Sequence, residues 1–281
     1  MDGRGSQRIV EGGCVYRTQG AASELHRLHA LQLIVPTKGV VEISVDGVDV
    51  ALPGGKAMLI SPDVPRRVHG GEPRVSMLFD PESLGAPVPS FAHGVSVVVL
   101  GGAVGRQLKG LARAVYDASQ LCVDTAESGL GEGRAMLAHA GFSRPFPLDT
   151  RVRRAIDLFR QPWLRLDHPS IARRAAISPD HLSHLFKEQV GISAKRYSLW
   201  IRTVTAVERM SGGASATEAA KLAQFSDLAH FSRACRHSFG RTPSKLPVHQ
   251  PNTLDASAVE RSCAPRSVAF AQRLDHPASD P

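Results

Sequence analysis

In the second half of the chain, apolar residues recur three and four positions apart, which is the spacing of a helix that packs one face on a core. One such segment, Leu182–Gly191 (LSHLFKEQVG), is repeated 49 positions later as Phe231–Gly240 (FSRACRHSFG). Each copy ends at a glycine, which suits the left-handed residue that follows a helix. Each is preceded by a short, alanine-rich amphipathic segment, Pro169–Ala176 and Thr217–Ala223. The pattern predicts two units of one design, each with a short helix, a tight turn and a second helix.

Polar residues stand where these helices should begin. Ser215 and Glu218 have the spacing of a capping box, in which a hydroxyl and a carboxylate satisfy backbone amides that lack a partner in the first turn. Ser178 can cap the second helix of the first unit, and Ser226 and Asp227 offer the same start in the second. We therefore expect the second helix of each unit to begin directly after these residues.

The segment between the two units predicts a single linker helix. Lys195–Met210 carries Tyr197, Ile201, Val204 and Val207 near one stripe. About 15 helical residues span roughly 22 Å, so this helix can hold the two units about one turn of DNA, roughly 34 Å, apart. A short helix, a turn and an exposed second helix form a helix-turn-helix, so the pattern predicts contact with two neighbouring stretches of major groove.

The second helix of each unit presents polar residues on the face opposite its apolar stripe, and these are the predicted DNA contacts. They are Asp180, Ser183, His184 and Lys187 in the first unit and Ala229, His230, Arg233 and Arg236 in the second. Arg233 is the strongest candidate because one guanidinium can donate hydrogen bonds to both O6 and N7 of guanine. The alternative is that Arg233 contacts a phosphate and has no base preference. Asp180 would repel phosphate, so it either bonds a cytosine amine or caps its own helix.

The charge distribution supports the same interpretation. Residues 151–250 contain 17 Lys and Arg against 7 Asp and Glu, a formal charge of +10, whereas the whole 281-residue chain carries +8. The cationic excess is therefore confined to the helical half, as expected for a surface that contacts phosphates. The alternative is a generic basic surface.

The helical half resembles the AraC-type (AraC/XylS) bacterial transcription regulators over about Leu166–Leu246. The resemblance rests on the strings Ile171–Ala175 (IARRA), Ser178–Lys187 (SPDHLSHLFK), Phe225–Arg233 (FSDLAHFSR) and Phe239–Ser244 (FGRTPS). It implies a cytoplasmic, sequence-specific regulator that binds double-stranded promoter DNA. RNA polymerase, a small-molecule effector and a second copy of the chain are the further partners that it implies.

The sequence departs from the family pattern in four places. The turn glycine is replaced by Ala176 in the first unit and by Gln224 in the second. Either each turn crowds a side chain or its backbone avoids positive φ. Cys235 replaces a large apolar residue, so we expect the core of the second unit to be less well filled. The Tyr-Arg usual after the final serine is absent.

The first half of the chain predicts short strands. Val41, Ile43 and Val45 alternate with polar residues, Asp46-Gly47 supplies a hairpin turn, and the alternation resumes over Val48–Leu52. Further strands are predicted near Ala57–Ile60, Arg74–Phe79 and Val95–Leu100. This spacing is typical of a small barrel or sandwich. The family resemblance implies a cupin-like barrel that binds an effector.

The barrel offers weak candidates for chemistry. His26 and His29 point to opposite faces of a strand and cannot easily share one ion, so we expect no metal and no cofactor. His29 and Arg66 are the candidate effector-binding residues, the alternatives being an ordinary pocket histidine and an exposed arginine. A barrel that only dimerises or binds a protein partner, and a metal-dependent cupin enzyme, are the alternative functions. We expect no enzymatic activity.

The predicted fold is α+β and multidomain, with an N-terminal cupin-like β-barrel and a C-terminal all-α domain of two helix-turn-helix motifs joined by a linker helix. The barrel is placed at 1–100, a helical linker and dimerisation helix at 101–147, the DNA-binding domain at 148–247 and a disordered tail at 248–281. In the linker region, Val104–Val123 predicts a helix that either packs on the barrel or pairs with a second copy, and Thr125–Gly133, rich in Gly and Glu, leads towards a Pro-containing link.

The four scattered cysteines predict reduced thiols, and neither a secretory signal nor a membrane span is expected.

Overall fold

The computed structural model describes residues 5–83, 96–119, 121–142, 148–161, 164 and 166–246. Within them, strands form two antiparallel sheets, of order β1-β2-β9-β4-β7-β10 and β3-β8-β5-β6. The strands are β1 (Gly5–Val10), β2 (Gly13–Thr18), β3 (His26–Arg27), β4 (Leu31–Pro36), β5 (Val40–Val45), β6 (Val48–Pro53), β7 (Ala57–Ile60), β8 (Pro65–Gly71), β9 (Arg74–Phe79) and β10 (Val97–Leu100). The predicted tail, residue 95 and most of the Pro-containing link lie outside the described residues.

The predicted hairpin is confirmed. Val45 pairs with Val48, and both turn residues, Asp46 and Gly47, have positive φ angles of 53° and 82°. This is the conformation that matches a two-residue turn to the right-handed twist of its strands. Val41 and Val45 are buried while Glu42 between them is exposed, as the alternating pattern predicts.

The two sheets face each other across an apolar core, and the cupin-like fold is confirmed in this form. In the described part of the chain they are two separate hydrogen-bonded sheets, so, of the predicted small barrel or sandwich, the sheets form a two-sheet sandwich. Side chains from both sheets fill the space between them, namely Ile34, Val41, Ile43, Val45, Leu52, Met58, Ile60 and Val68. Met58 therefore packs in the core.

Two helices cover the outer face of the larger sheet, α1 (Gly102–Asp117) and α2 (Val123–His139). The single helix predicted over Val104–Val123 is wrong in extent, because α1 ends at Asp117 and a second helix, α2, begins at Val123. The glycine-rich segment Thr125–Gly133 lies within α2. Gly133 lies against the sheet, where a Cβ atom would come within 3.0 Å of Met77 Sδ. The glycines of α2 thus permit close helix–sheet packing. From composition alone, a glycine-rich helix of this kind cannot be distinguished from a flexible linker.

Six further α-helices are present in the described residues of the second half. They are α3 (Thr150–Phe159), α4 (His168–Arg174), α5 (Pro179–Val190), α6 (Ala194–Ser211), α7 (Ala216–Leu222) and α8 (Leu228–Phe239). The predicted linker helix is confirmed as α6. The predicted caps Ser178 and Ser215 accept hydrogen bonds from the backbone amides of His181 and Glu218. In the second unit Asp227 is the cap, and Ser226 donates to its carboxylate.

Each helix-turn-helix unit has its own apolar core. The first is built around Ile171, Leu182, Phe186 and Tyr197, and the second around Val207, Phe225, Phe231 and Cys235. Cys235 is fully buried in the second core, and burial raises the pKa of its thiol. Among the described residues, no helix is both long enough and apolar enough to cross a bilayer.

Candidate nucleic-acid interface

The turns of the two units have the same backbone geometry. Ala176 and Gln224 have φ angles of 56° and 61°, so the turns adopt the left-handed conformation rather than avoiding it. In both turns these residues donate to the carbonyl three positions earlier, and the next residues, Ile177 and Phe225, donate to the carbonyl five positions earlier. The second turn holds one residue more before its cap. The repeated sequence pattern therefore corresponds to a repeated structure.

The predicted contacts of the first unit lie on one accessible face of α5. Asp180, Ser183, His184 and Lys187 are all exposed. The Ser183 hydroxyl donates to the carbonyl oxygen of Pro179 at 2.9 Å and lies 3.4 Å from His168 Nε2. Ser183 is consequently oriented by its own helix and by α4.

In the second unit, α8 exposes Ala229, Arg233 and Arg236, whereas His230 is half-buried. The His230 ring packs edge-on against Phe225, with the ring centroids 5.1 Å apart, and its Nδ1 lies 3.2 Å from Ser226 Oγ. Arg236 Nε lies 3.4 Å from a Glu24 carboxylate oxygen. Of the four predicted contacts, His230 and Arg236 thus also have partners within the protein.

The two candidate effector-binding residues are not brought together at an open site. Arg66 is fully buried and donates to Gln32 Oε1 at 3.0 Å and to the backbone carbonyls of Ser61 and Val64 at 2.6 Å and 3.0 Å. Burial lowers the pKa of Arg66 to about 10. The alternative prediction, that Arg66 is an exposed arginine, is wrong, because its guanidinium forms hydrogen bonds inside the sandwich.

His29 lies at the boundary between the sandwich and the helical half. Its ring packs edge-on against Tyr197 and Trp200 of α6, with centroid distances of 5.7 Å and 6.2 Å. His29 Nε2 is 3.9 Å from a carboxylate oxygen of Glu82, and burial lowers the pKa of the imidazole. The described residues contain no group of three His, Cys, Asp or Glu side chains arranged to hold a metal ion.

Between the sandwich and α8 there is a cavity of about 40 Å³ that the sequence did not predict. Its polar lining includes Tyr16, Arg74 and Arg241. Arg74 is only 3% exposed, and its Nη2 donates to the carbonyl of Ala21. Arg74 Nη1 is buried and has no hydrogen-bond partner in the described part of the chain, and the same holds for Thr18 Oγ1 in the lining. A buried guanidinium N–H without a partner is costly, and an anion is one group that can pair with it.

The wall of this cavity joins the two halves of the molecule. The lining mixes polar and apolar residues, and its residues from the helical half come from the end of α8 and the segment after it, namely Ser238, Phe239, Arg241 and Leu246. Arg241 Nη2 donates to the carbonyl of Ala22 at 2.6 Å. The signal in the sequence was an arginine at the start of β9, a strand whose other residues are apolar except for Ser76.

A family of helix-turn-helix domains matches residues 171–246. The chain carries an AraC-type helix-turn-helix domain. It is in this respect a DNA-binding transcription regulator, as the residue pattern predicted. No curated protein matches the chain.

The chain also resembles solved structures of ToxT from Vibrio cholerae. Wild-type ToxT bound to an unsaturated fatty acid is 13% identical, with a TM-score of 0.56 over 85% of this chain and 95% of that chain. ToxT bound to (E)-4-(8-methylnaphthalen-1-yl)but-3-enoic acid is 13% identical, with a TM-score of 0.57 over 86% and 97%. At this identity the similarity establishes the fold alone. The AraC-like transcriptional activator CuxR is 18% identical over 74% of this chain and 81% of its own, at a TM-score of 0.41.

Proposed function

We propose that the protein is a sequence-specific transcription regulator that inserts α5 and α8 into consecutive major grooves of promoter DNA. The observation that carries this proposal is the matching backbone hydrogen-bond pattern of the two turns, in two units that the single helix α6 joins from the end of α5 to the start of α7. The exposed polar residues of α5 and α8 supply hydrogen-bonding groups for base edges, and the +10 charge of residues 151–250 supplies phosphate contacts.

The experiment that tests this proposal is selection of bound duplexes from a random pool with the full chain at a fixed salt concentration. The expected motif has two boxes whose centres are about one helical turn, roughly 10 base pairs, apart. Binding to the selected site should weaken with salt, with log K falling against log salt at a slope of about −0.9 per phosphate neutralised. A pool without enriched sequence, or with a single box, would contradict the two-helix mode.

We further propose that a carboxylate ligand modulates the regulator by binding in the cavity between the sandwich and α8. Three observations support this placement over the interior of the sandwich. The interior is filled by apolar side chains from both sheets. The cavity contains a buried N–H of Arg74 that has no partner among the described residues, together with a second guanidinium from Arg241. The two ToxT structures with bound ligands hold carboxylic acids.

The size of the cavity gives this ligand a mechanism. A volume of about 40 Å³ holds one or a few water molecules. A larger carboxylate therefore binds only when the sandwich and the end of α8 move apart. Because α8 is the second recognition helix, ligand binding changes the constraint that the sandwich places on its orientation.

A thermal-shift experiment tests the ligand with a matched pair of variants. An unsaturated fatty acid below its micellar concentration should raise the Tm of the wild-type protein, whereas the corresponding alcohol should not, because only the carboxylate pairs with guanidinium. Arg74→Met should abolish the shift, and Arg67→Met, which removes an exposed arginine from β8, should leave it intact. An acid-dependent shift that survives in Arg74→Met would refute the placement.

Four expectations stay predictions: the homodimer, the contact with RNA polymerase, the cytoplasmic location and the lack of enzymatic activity. For the dimer, the packing of α1 and α2 on the sheet uses their apolar faces within the chain. A dimer through these helices would consequently rest on their polar faces. Sedimentation of the full chain, with and without the selected duplex, tests this point.

A further inference from the structure

The turn of the second helix-turn-helix unit is held by a side chain from the linker helix. Arg202 of α6 donates from Nε to the carbonyl of Ala223 at 3.1 Å and from Nη2 to the carbonyl of Gln224. Its guanidinium carbon also lies 4.6 Å from the centre of the Phe225 ring, in a cation–π arrangement. One guanidinium thus contacts three consecutive residues of the turn.

This contact occurs where the backbone requires support. Gln224 has a φ angle of 61°, a left-handed conformation that is unfavourable for a residue with a side chain. Carbonyl groups at a helix end lack partners within the helix, and Arg202 satisfies two of them. The fork of the guanidinium reaches both carbonyls at once, which an ammonium group on a flexible stem does not reproduce.

The contact continues from the turn to the recognition helix. The Phe225 ring packs against the rings of His230 and Phe231, with centroid distances of 5.1 Å in both pairs. His230 is a predicted DNA contact, and Phe231 is fully buried in the core of the second unit. The position of α8 therefore depends on the turn that Arg202 holds.

The first unit is built without this contact. Its turn residue Ala176 has a similar φ angle of 56°. Arg153, which lies 49 positions before Arg202, is exposed, and among the described residues no arginine side chain donates to the carbonyls of Ala175 or Ala176. The two units provide an internal comparison, since only one of them has its turn fixed from outside.

We propose that Arg202 is a positioning residue that fixes the orientation of α8 and so sets base discrimination in the second DNA box. The inference rests on the proposed function of α5 and α8. It predicts an effect on one box only, because Arg202 contacts the turn of the second unit and lies away from the first. A residue that merely stabilised the fold, or neutralised a phosphate, would affect both boxes alike.

The test repeats the duplex selection with the full chain carrying Arg202→Met, Arg202→Lys or the control Arg209→Met. Arg209 is an exposed cation on the same helix and controls for the loss of charge. We expect Arg202→Met to lower discrimination in the second box by at least about fivefold, the scale of one good base contact, with the first box unchanged. Arg202→Lys keeps the charge and should lower it less, by at least about threefold. Arg209→Met should retain both boxes.

The outcomes separate this inference from the function on which it rests. If the wild-type protein selects no two-box motif, the proposed function fails. If the wild type selects two boxes and Arg202→Lys discriminates as well as the wild type in both, the positioning role is overturned. It is also overturned if discrimination falls equally in the two boxes. Arg202→Lys keeps the test decisive if Arg202→Met does not fold.

Discussion

The guanidinium of Arg196 donates from Nη2 to a carboxylate oxygen of Asp63 at 2.6 Å, across the boundary between the sandwich and the linker helix. Asp63 lies in the loop before β8, and Arg196 lies in the first turn of α6. The two residues are 133 positions apart in the sequence. This ion pair belongs to a set of contacts through which the sandwich touches α3, the linker helix α6 and α8 of the second helix-turn-helix unit.

We expect the pair to stabilise the junction modestly. The side chains of Arg196 and Asp63 are 49% and 25% exposed, and partly exposed ion pairs contribute about 0.5–1 kcal/mol. Urea unfolding of Asp63→Asn, Arg196→Met and the double variant should give a coupling energy of this size. Asp63→Asn combined with Arg67→Met should be additive. Additivity in the first cycle would show that the pair contributes nothing.

Arg233 and Lys187 should differ in the kind of DNA contact that they make. Arg233→Ala should cost about 1–3 kcal/mol on the selected site and relax the preference at one base pair, because a guanidinium can read guanine through two hydrogen bonds. Lys187→Ala should weaken all sequences alike and reduce the salt slope by about 1. Equilibrium binding to the selected site and to scrambled duplexes, at several salt concentrations, measures both effects.

The outcome for each residue is decided independently. Uniform weakening by Arg233→Ala on every sequence would make it a phosphate contact. A changed base preference in Lys187→Ala would contradict its phosphate role. Both residues are exposed, so their loss should leave the folded structure intact.

The helical half was predictable because its signals are local. The apolar positions of α5 and α8, the caps Ser178 and Ser215 and the terminal glycines all act within a few residues of one another. Gly240 also has a long-range contact that the local sequence does not indicate. Its φ angle of 65° was expected of a helix end, but a Cβ atom there would also come within 2.6 Å of the Glu24 carbonyl in the other half of the molecule.

In the first half, the prediction failed where burial depends on distant neighbours. Strands β1 and β2 mix polar and apolar residues, and the pattern did not indicate them. Arg66 was predicted as an effector residue or an exposed one, yet Gln32 and two backbone carbonyls satisfy it inside the sandwich. The lining of the cavity also comes from segments that are far apart in the sequence, so no local spacing of residues indicates the cavity.

Ala176→Gly should stabilise the protein. Ala176 has a φ angle of 56°, and the left-handed conformation costs a residue with a Cβ about 1–2 kcal/mol, whereas glycine adopts it freely. The added entropy of the unfolded chain offsets part of this gain, which leaves about 0.5–1 kcal/mol. Urea unfolding measures the change.

The neighbouring residue supplies the control for this variant. Ala175 is buried at the end of α4 with a φ angle of −82°, so Ala175→Gly should destabilise the protein by lost packing and added entropy. If both glycine variants were destabilising to the same degree, the positive φ at Ala176 would not be a source of strain.

Asp80 should make the stability of the domain boundary depend on pH. Its side chain is only 19% exposed, and this burial, followed by the charge of Glu82, raises the pKa of Asp80 to about 7. Arg160 lies 3.2 Å from both carboxylates and, with Arg134, opposes this shift. One guanidinium shared between two buried carboxylates does not compensate for the burial and repulsion of both, so the raised pKa prevails.

The sign of the pH effect follows from the direction of this shift. The folded state holds a proton on Asp80 more tightly than the unfolded state, in which an aspartate titrates at about pH 4. The contribution to stability is therefore present below about pH 4 and is lost as the pH rises through about 7. Asp80→Asn cannot ionise, so its free energy of unfolding relative to the wild type should increase from about pH 5 to about pH 7.5, by about 2 kcal/mol. Asp117→Asn, which removes an exposed carboxylate, should run parallel to the wild type, and the same result for Asp80→Asn would exclude Asp80 as the titrating group.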